Sequence, residues 1–64
     1  MLFRSQLAPT AAAHNLLGAA LASLGRIEDA LREFEQALEL DPTDSQARSN
    51  LTRAQILARR AHTK

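Results

Sequence analysis

Residues 14–42 read HNLLGAALASLGRIEDALREFEQALELDP. A Gly25-Arg26 break divides two apolar-periodic stretches, and Asp41-Pro42 closes the second. In that second stretch Ile27, Ala30, Leu31, Phe34, Ala37 and Leu38 recur at three- and one-residue steps, the stripe of an amphipathic helix from about Ile27 to Leu40. Glu28 and Asp29 lie in its first turn, where the positive end of the helix dipole favours acids. Glu28, Arg32, Glu35, Gln36 and Glu39 project away from the stripe. Pro42 cannot continue the helix and biases Asp41 away from helical geometry.

Upstream, Pro9-Thr10 punctuates the chain and Thr10 is placed to cap a helix of about residues 11–24. Ala13, Leu17, Ala20, Leu21 and Leu24 fall on one face of it, read as the packed face, while Ala12, Ala19 and Ala22 fall opposite. Gly25 suits the left-handed residue that stops such a helix. Downstream, Asp44 is the natural cap of a third helix, residues 45–61, with Ala47, Leu51, Ala54, Ala58 and Ala61 as a narrow stripe and Ile56 almost opposite. Short connections make sequential helices antiparallel neighbours. Residues 1–10 read as a lead-in or the stub of a preceding helix, and 62–64 as a frayed end.

Composition agrees. Alanine (13) and leucine (11) head the helix-propensity scale, and with no Val, Trp or Tyr an all-β domain is excluded. No cysteine is present, which excludes a disulfide-stapled miniprotein and a thiolate zinc site. The net charge of +1 hides a gradient. Residues 26–44 hold all seven acids against two arginines, whereas residues 45–64 hold Arg48, Arg53, Arg59, Arg60 and Lys64 and no acid. No apolar run is long enough to span a membrane and no signal-peptide pattern opens the chain, so the default compartment is the cytoplasm.

The ordered set Leu17, Gly18, Ala30, Phe34, Ala37 and Pro42 resembles the tetratricopeptide repeat, a two-helix unit of about 34 residues. His14 stands where that family usually has Trp, and Leu21 where it usually has Tyr. The resemblance covers about residues 11–44. It implies an all-α fold: an antiparallel helix–turn–helix repeat followed by a capping helix, a three-helix fragment of an α-solenoid. Residues 45–61 keep only Leu51 of the signature, as terminal capping helices do. Repeats bury their apolar faces mostly against neighbours, and a chain of this size has little core of its own. Self-association, by a helix swap or through the exposed Ile56 and Leu57, or membership of a longer array, is therefore expected.

Chemistry for catalysis is thin. His14 and His62 show no metal-ligand spacing, no serine has a His–acid pattern beside it, and two glycines make no phosphate loop. His14 reads as a partly packed replacement for an aromatic, and Glu33, Glu35 and Glu39 as a solvated face. No enzyme activity, cofactor or metal is expected. The resemblance instead implies a protein–protein interaction module, with the first helix of each unit lining a groove for a peptide or partner helix. The matching positions are Ala12, Asn15, Ala19, Ala22 and Ser23, then Gln46, Ser49 and Arg53. Of these, Asn15 and Arg53 are the strong directional hydrogen-bonding groups, Arg53 being able to grip a carboxylate. Self-assembly guided by the charge gradient is one alternative. Nucleic-acid binding by the basic third helix is another, disfavoured because the arginines form no single stripe and no aromatic is there to stack on bases.

Overall fold

A computed structural model describes residues 10–62, which form three helices: α1 (Ala11–Ser23), α2 (Ile27–Leu40) and α3 (Ser45–His62). No strand occurs among the described residues. The expected lead-in lies, apart from Thr10, outside the described residues, as do Thr63 and Lys64. His62 closes α3 instead of lying beyond it.

The chain's own punctuation makes the helix ends. The Thr10 hydroxyl accepts from the Ala13 amide at 3.0 Å, satisfying one of the free N–H groups that open α1. At the other end the Gly25 amide donates to the Ala22 carbonyl and the Arg26 amide to the Leu21 carbonyl, at 3.0 and 2.9 Å. This is a Schellman stop, and it requires the φ of +86° that Gly25 supplies. Arg26 gives α2 no side-chain cap; its guanidinium pairs with Asp29 at 2.7 Å. In the turn between α2 and α3 the Thr43 amide and hydroxyl both donate to the Asp41 carboxylate, at 3.1 and 2.7 Å. The Asp44 carboxylate then accepts from the amides of Gln46 and Ala47, at 3.0 and 3.1 Å, and so caps α3.

α2 is the central element. It packs along both α1 and α3, which touch one another more sparingly. Its buried residues Ala30, Phe34 and Ala37 belong to the expected stripe, and Ala47 and Ala54 of α3 are likewise buried where the spacing put them. Leu21, Ala22, Ile27, Leu31 and Leu51 close around Ala30, Phe34 and Ala54.

On α1 the expectation is overturned. The buried residues are Asn15 and Gly18, while Leu17 is 48% and Leu24 72% exposed, and Ala13 and Ala20 are exposed with them. Leu21 alone of the predicted face turns partly inward, and Ala22, predicted outside, is half-buried against the core. The cause is the Phe34 ring, itself 3% exposed, which lies directly over Gly18. A Cβ on Gly18 would sit 2.5 Å from the ring's Cε1 and 2.8 Å from Cδ1. With α1 drawn that close to α2, its facing side holds small residues and the leucines turn outward. Leucine-rich spacing marked an apolar face, but not the buried one.

The two glycines serve different ends, and substitution separates them. Gly18→Ala overpacks Phe34, and a loss of about 1–3 kcal/mol is expected despite alanine's better helix propensity. Gly25→Ala meets no atom within 4 Å, so its cost is backbone strain alone, about 1 kcal/mol. Gly25→Asn recovers part of that loss, whereas Gly18→Asn is worse than Gly18→Ala. Urea unfolding followed by circular dichroism checks both orders.

Candidate partner-binding groove

α1 and α3 flank two adjoining concavities of about 280 and 290 Å³ that share Ala19 and Asn50. At one end Ala12, Asn15 and Leu16 lie opposite Asp44, Gln46 and Asn50. At the other, Ala19, Ala22 and Ser23 lie opposite Asn50, Arg53 and Leu57, with Phe34 and Ala54 also lining it. The N-terminal halves of α1 and α3 therefore meet at one end and the C-terminal halves at the other, so the two helices run in the same direction. Together the concavities make one groove, lined on α3 by 46, 50, 53 and 57 at helical spacing; at 1.5 Å rise per residue it is ~17 Å long.

Of the eight positions that the resemblance marks as groove-lining, Ala12, Asn15, Ala19, Ala22, Gln46 and Arg53 border these concavities. Ser23 does as well. Ser49 does not; Asn50 takes its place, because Ser49 points roughly 60° away from the row at 100° per residue. Asn50, Leu16, Asp44, Ala54 and Phe34 are the lining residues that sequence reasoning missed. The step from Gln46 to Asn50 to Arg53 was the available signal. Leu57, expected at a self-association contact, lines the groove, while Ile56 is 45% exposed outside it.

Asn15 corrects the expectation most. It was read as a donor free to meet a partner, yet it is 9% exposed and engaged on both sides of its amide. Its Nδ2 donates to Asp44 Oδ2 at 2.9 Å, and its Oδ1 lies 3.4 Å from Asn50 Nδ2. One Asp44 oxygen thus caps α3 while the other holds α1. A buried amide left without partners would cost about 1–3 kcal/mol, and no described buried side-chain N or O atom is left unsatisfied. Asn15 is a brace at the groove's floor. Arg53 differs: it makes no hydrogen bond or ion pair among the described residues, and it sits beside the apolar surfaces of Ala22, Phe34, Ala54 and Leu57.

A second polar tie joins α1 to α2. His14 Nδ1 lies 2.7 Å from Glu33 Oε1, both side chains about a fifth exposed (22% and 23%). His14 is partly packed, as expected for a residue in an aromatic's place, but Glu33 is not part of a solvated face as read from the sequence. The packed side of α2 reaches round to Glu33, which leaves Glu35 and Glu39 exposed. On α3, Arg48 donates to the Pro42 carbonyl at 2.9 Å. Among the described residues no group of acids and histidines is arranged to hold a metal ion, and no helix is long and apolar enough to cross a membrane.

Comparison with known proteins adds one finding. Residues 11–44, just over half of the chain, match the family model described as tetratricopeptide repeat. No curated protein and no solved structure matches the chain.

The brace can be measured by a double-mutant cycle. Asn15→Ala is expected to destabilise by about 1–2 kcal/mol, and Asp44→Ala by about 2, since it removes cap and brace together. Asp44→Ser keeps the cap but not the brace and should fall between Asp44→Ala and the parent chain. The two alanine substitutions should couple by about 0.5–1.5 kcal/mol in urea unfolding; additive losses would mean that the bond does not hold α1 to α3.

Proposed function

Because the chain belongs to the tetratricopeptide repeat family, whose members generally serve as protein–protein interaction modules, we propose that it is a non-enzymatic module that binds a partner peptide or helix in the groove between α1 and α3. The observation that carries this reading is the continuous concavity formed where α1 and α3 run side by side, lined by Ala12, Ala19, Ala22, Gln46, Asn50 and Arg53. Its α1 wall is small and smooth, which lets another backbone approach closely. Its α3 wall carries the adaptable polar groups, Gln46 and Asn50, and the cation Arg53. Asn15 and Asp44 hold the two walls at their spacing. A groove already braced loses less entropy when a ligand orders it.

Chemistry at the Arg53 end favours a ligand with an apolar side chain for the pocket over Phe34 and Ala54. An acidic or carbonyl oxygen beside that side chain would accept from Arg53. The capping reading of α3 accords with this arrangement: α3 supplies the second wall, and its C-terminal half carries charge outward.

Self-association is the second reading. Leu16, Leu17, Leu24, Leu40, Ile56 and Leu57 are all at least 40% exposed, an unusual number of large apolar side chains for so small a unit. Leu16 and Leu57 belong to both readings, so a contact through either would compete with a peptide for the groove.

Peptides selected from a random display library against the full chain test the groove. Their affinities, measured by fluorescence anisotropy, are expected to fall about tenfold or more with Ala19→Trp, which fills the channel, and with Arg53→Glu. In the parent chain the amide resonances of Ala19, Asn50 and Arg53 should shift on binding. Affinities that neither substitution changes, or shifts confined to α2, would overturn the reading.

A further inference from the structure

The groove's row on α3, Gln46, Asn50, Arg53 and Leu57, advances by four, three and four residues, and the next step of three reaches Arg60. Arg60 comes seven residues after Arg53, so it is turned only about 20° from it and stands ~10 Å further along the helix. α1 ends at Ser23, which borders the same concavity as Leu57, and Arg60 therefore stands at the groove's mouth, one step past its lining. Arg53, Leu57 and Arg60 are all exposed. Neither arginine makes a hydrogen bond or ion pair among the described residues.

The surrounding helices do not offset this charge. α1 carries no lysine, arginine, aspartate or glutamate, and α3 carries four arginines and no acid. Arg48 and Arg59 lie about 120–140° round α3 from Arg53, on its other flank, and Arg48 is tied to the Pro42 carbonyl. Asp44 is the one acid that lines the groove among the described residues, and it sits at the far end. One of its oxygens accepts from Asn15 and the other from the amides of Gln46 and Ala47. The Arg53 end is thus a pair of cations one heptad apart with an apolar residue between them, and its complement is acidic.

We propose that the groove takes an acidic amphipathic helix, in which two carboxylates one heptad apart meet Arg53 and Arg60 on either side of an apolar residue seated against Leu57. The inference rests on the groove reading above and names the chemistry of its ligand. Spacing selects a helix. Laid alongside α3, a second helix repeats its same-face residues at four and seven, in step with Leu57 and Arg60 at ~6 and ~10 Å from Arg53. An extended segment brings its same-face residues round at ~7 and ~14 Å and falls out of step. Ala12, Ala19 and Ala22 make the opposite wall small enough for that helix to lie close. Arg53, beside Phe34, Ala54 and Leu57, holds its carboxylate in a less watery setting than Arg60 at the mouth, so the inner pair is the stronger.

The probe is a labelled alanine-based helical peptide of about 18 residues, with glutamates at i and i+7 and leucine at i+4. Fluorescence anisotropy with the full chain should show binding that weakens about tenfold when both glutamates become glutamine. Moving the glutamates to opposite faces, at unchanged charge, should cost as much. Arg53→Gln should weaken the probe about tenfold and Arg60→Gln about threefold, with circular dichroism confirming that both variants keep the fold. Arg60→Glu paired with lysine at the facing glutamate of the probe should recover most of the affinity, a rescue that damage to the fold does not produce. Equal affinity for the two glutamate arrangements would overturn the inference, since charge alone would then explain binding. Displacement of the probe by a single-stranded oligonucleotide of equal charge would overturn it in favour of phosphate. A probe that does not bind, while acid-free library peptides still lose affinity with Ala19→Trp, would overturn the acidic helix and leave the groove reading standing. Failure of both probe and library peptides would overturn the two together.

Discussion

The contact between Gly18 and the Phe34 ring governs the rest of the molecule. A ring lying over a helix backbone with no Cβ between them draws α1 and α2 together more closely than any larger residue permits. Close approach has two consequences. It keeps leucine away from the point of contact on α1, so that Leu16, Leu17 and Leu24 point outward and only Leu21 turns partly inward. It also rolls α1 so that Asn15 faces the start of α3, where Asp44 receives it at 2.9 Å. The hydrophobic core is correspondingly small. Four of its five buried apolar members, Ala30, Ala37, Ala47 and Ala54, are alanines, which contribute closeness more than area.

A core of that kind leaves part of the work to polar ties. His14–Glu33 joins α1 to α2, and Asn15–Asp44 joins α1 to α3. Asp44 is economical: a single carboxylate caps α3 and fixes its distance from α1. Since α1 and α3 are the walls of the groove, this one residue connects helix stability to the geometry of the groove. Arg53 makes no hydrogen bond or ion pair among the described residues and is bordered by apolar side chains.

The division of surfaces follows from the same packing. The concave side, between α1 and α3, is mixed in character and braced. The outer side of α1 is uncharged and apolar, and the outer side of α2 is acidic, with α3 basic toward its end. One small chain thus presents three faces with three chemistries.

The sequence by itself determined the helices, their ends and the repeat. Thr10, Gly25, Pro42 and Asp44 act on the backbone within a few residues of themselves, and the strong stripe of α2 allows only one buried face. Most of the groove lining was legible too, because Ala12, Ala19, Ala22, Gln46 and Arg53 are positions that the resemblance to the repeat implies for it. Tertiary structure alone decided which way α1 faces, that Asn15 is a brace, that Asn50 replaces Ser49, and that Glu33 is paired. The reason is physical. α1 is apolar nearly all round, so its periodicity contains no preference strong enough to orient it, and its rotation is set by a contact with a ring sixteen residues further along the chain.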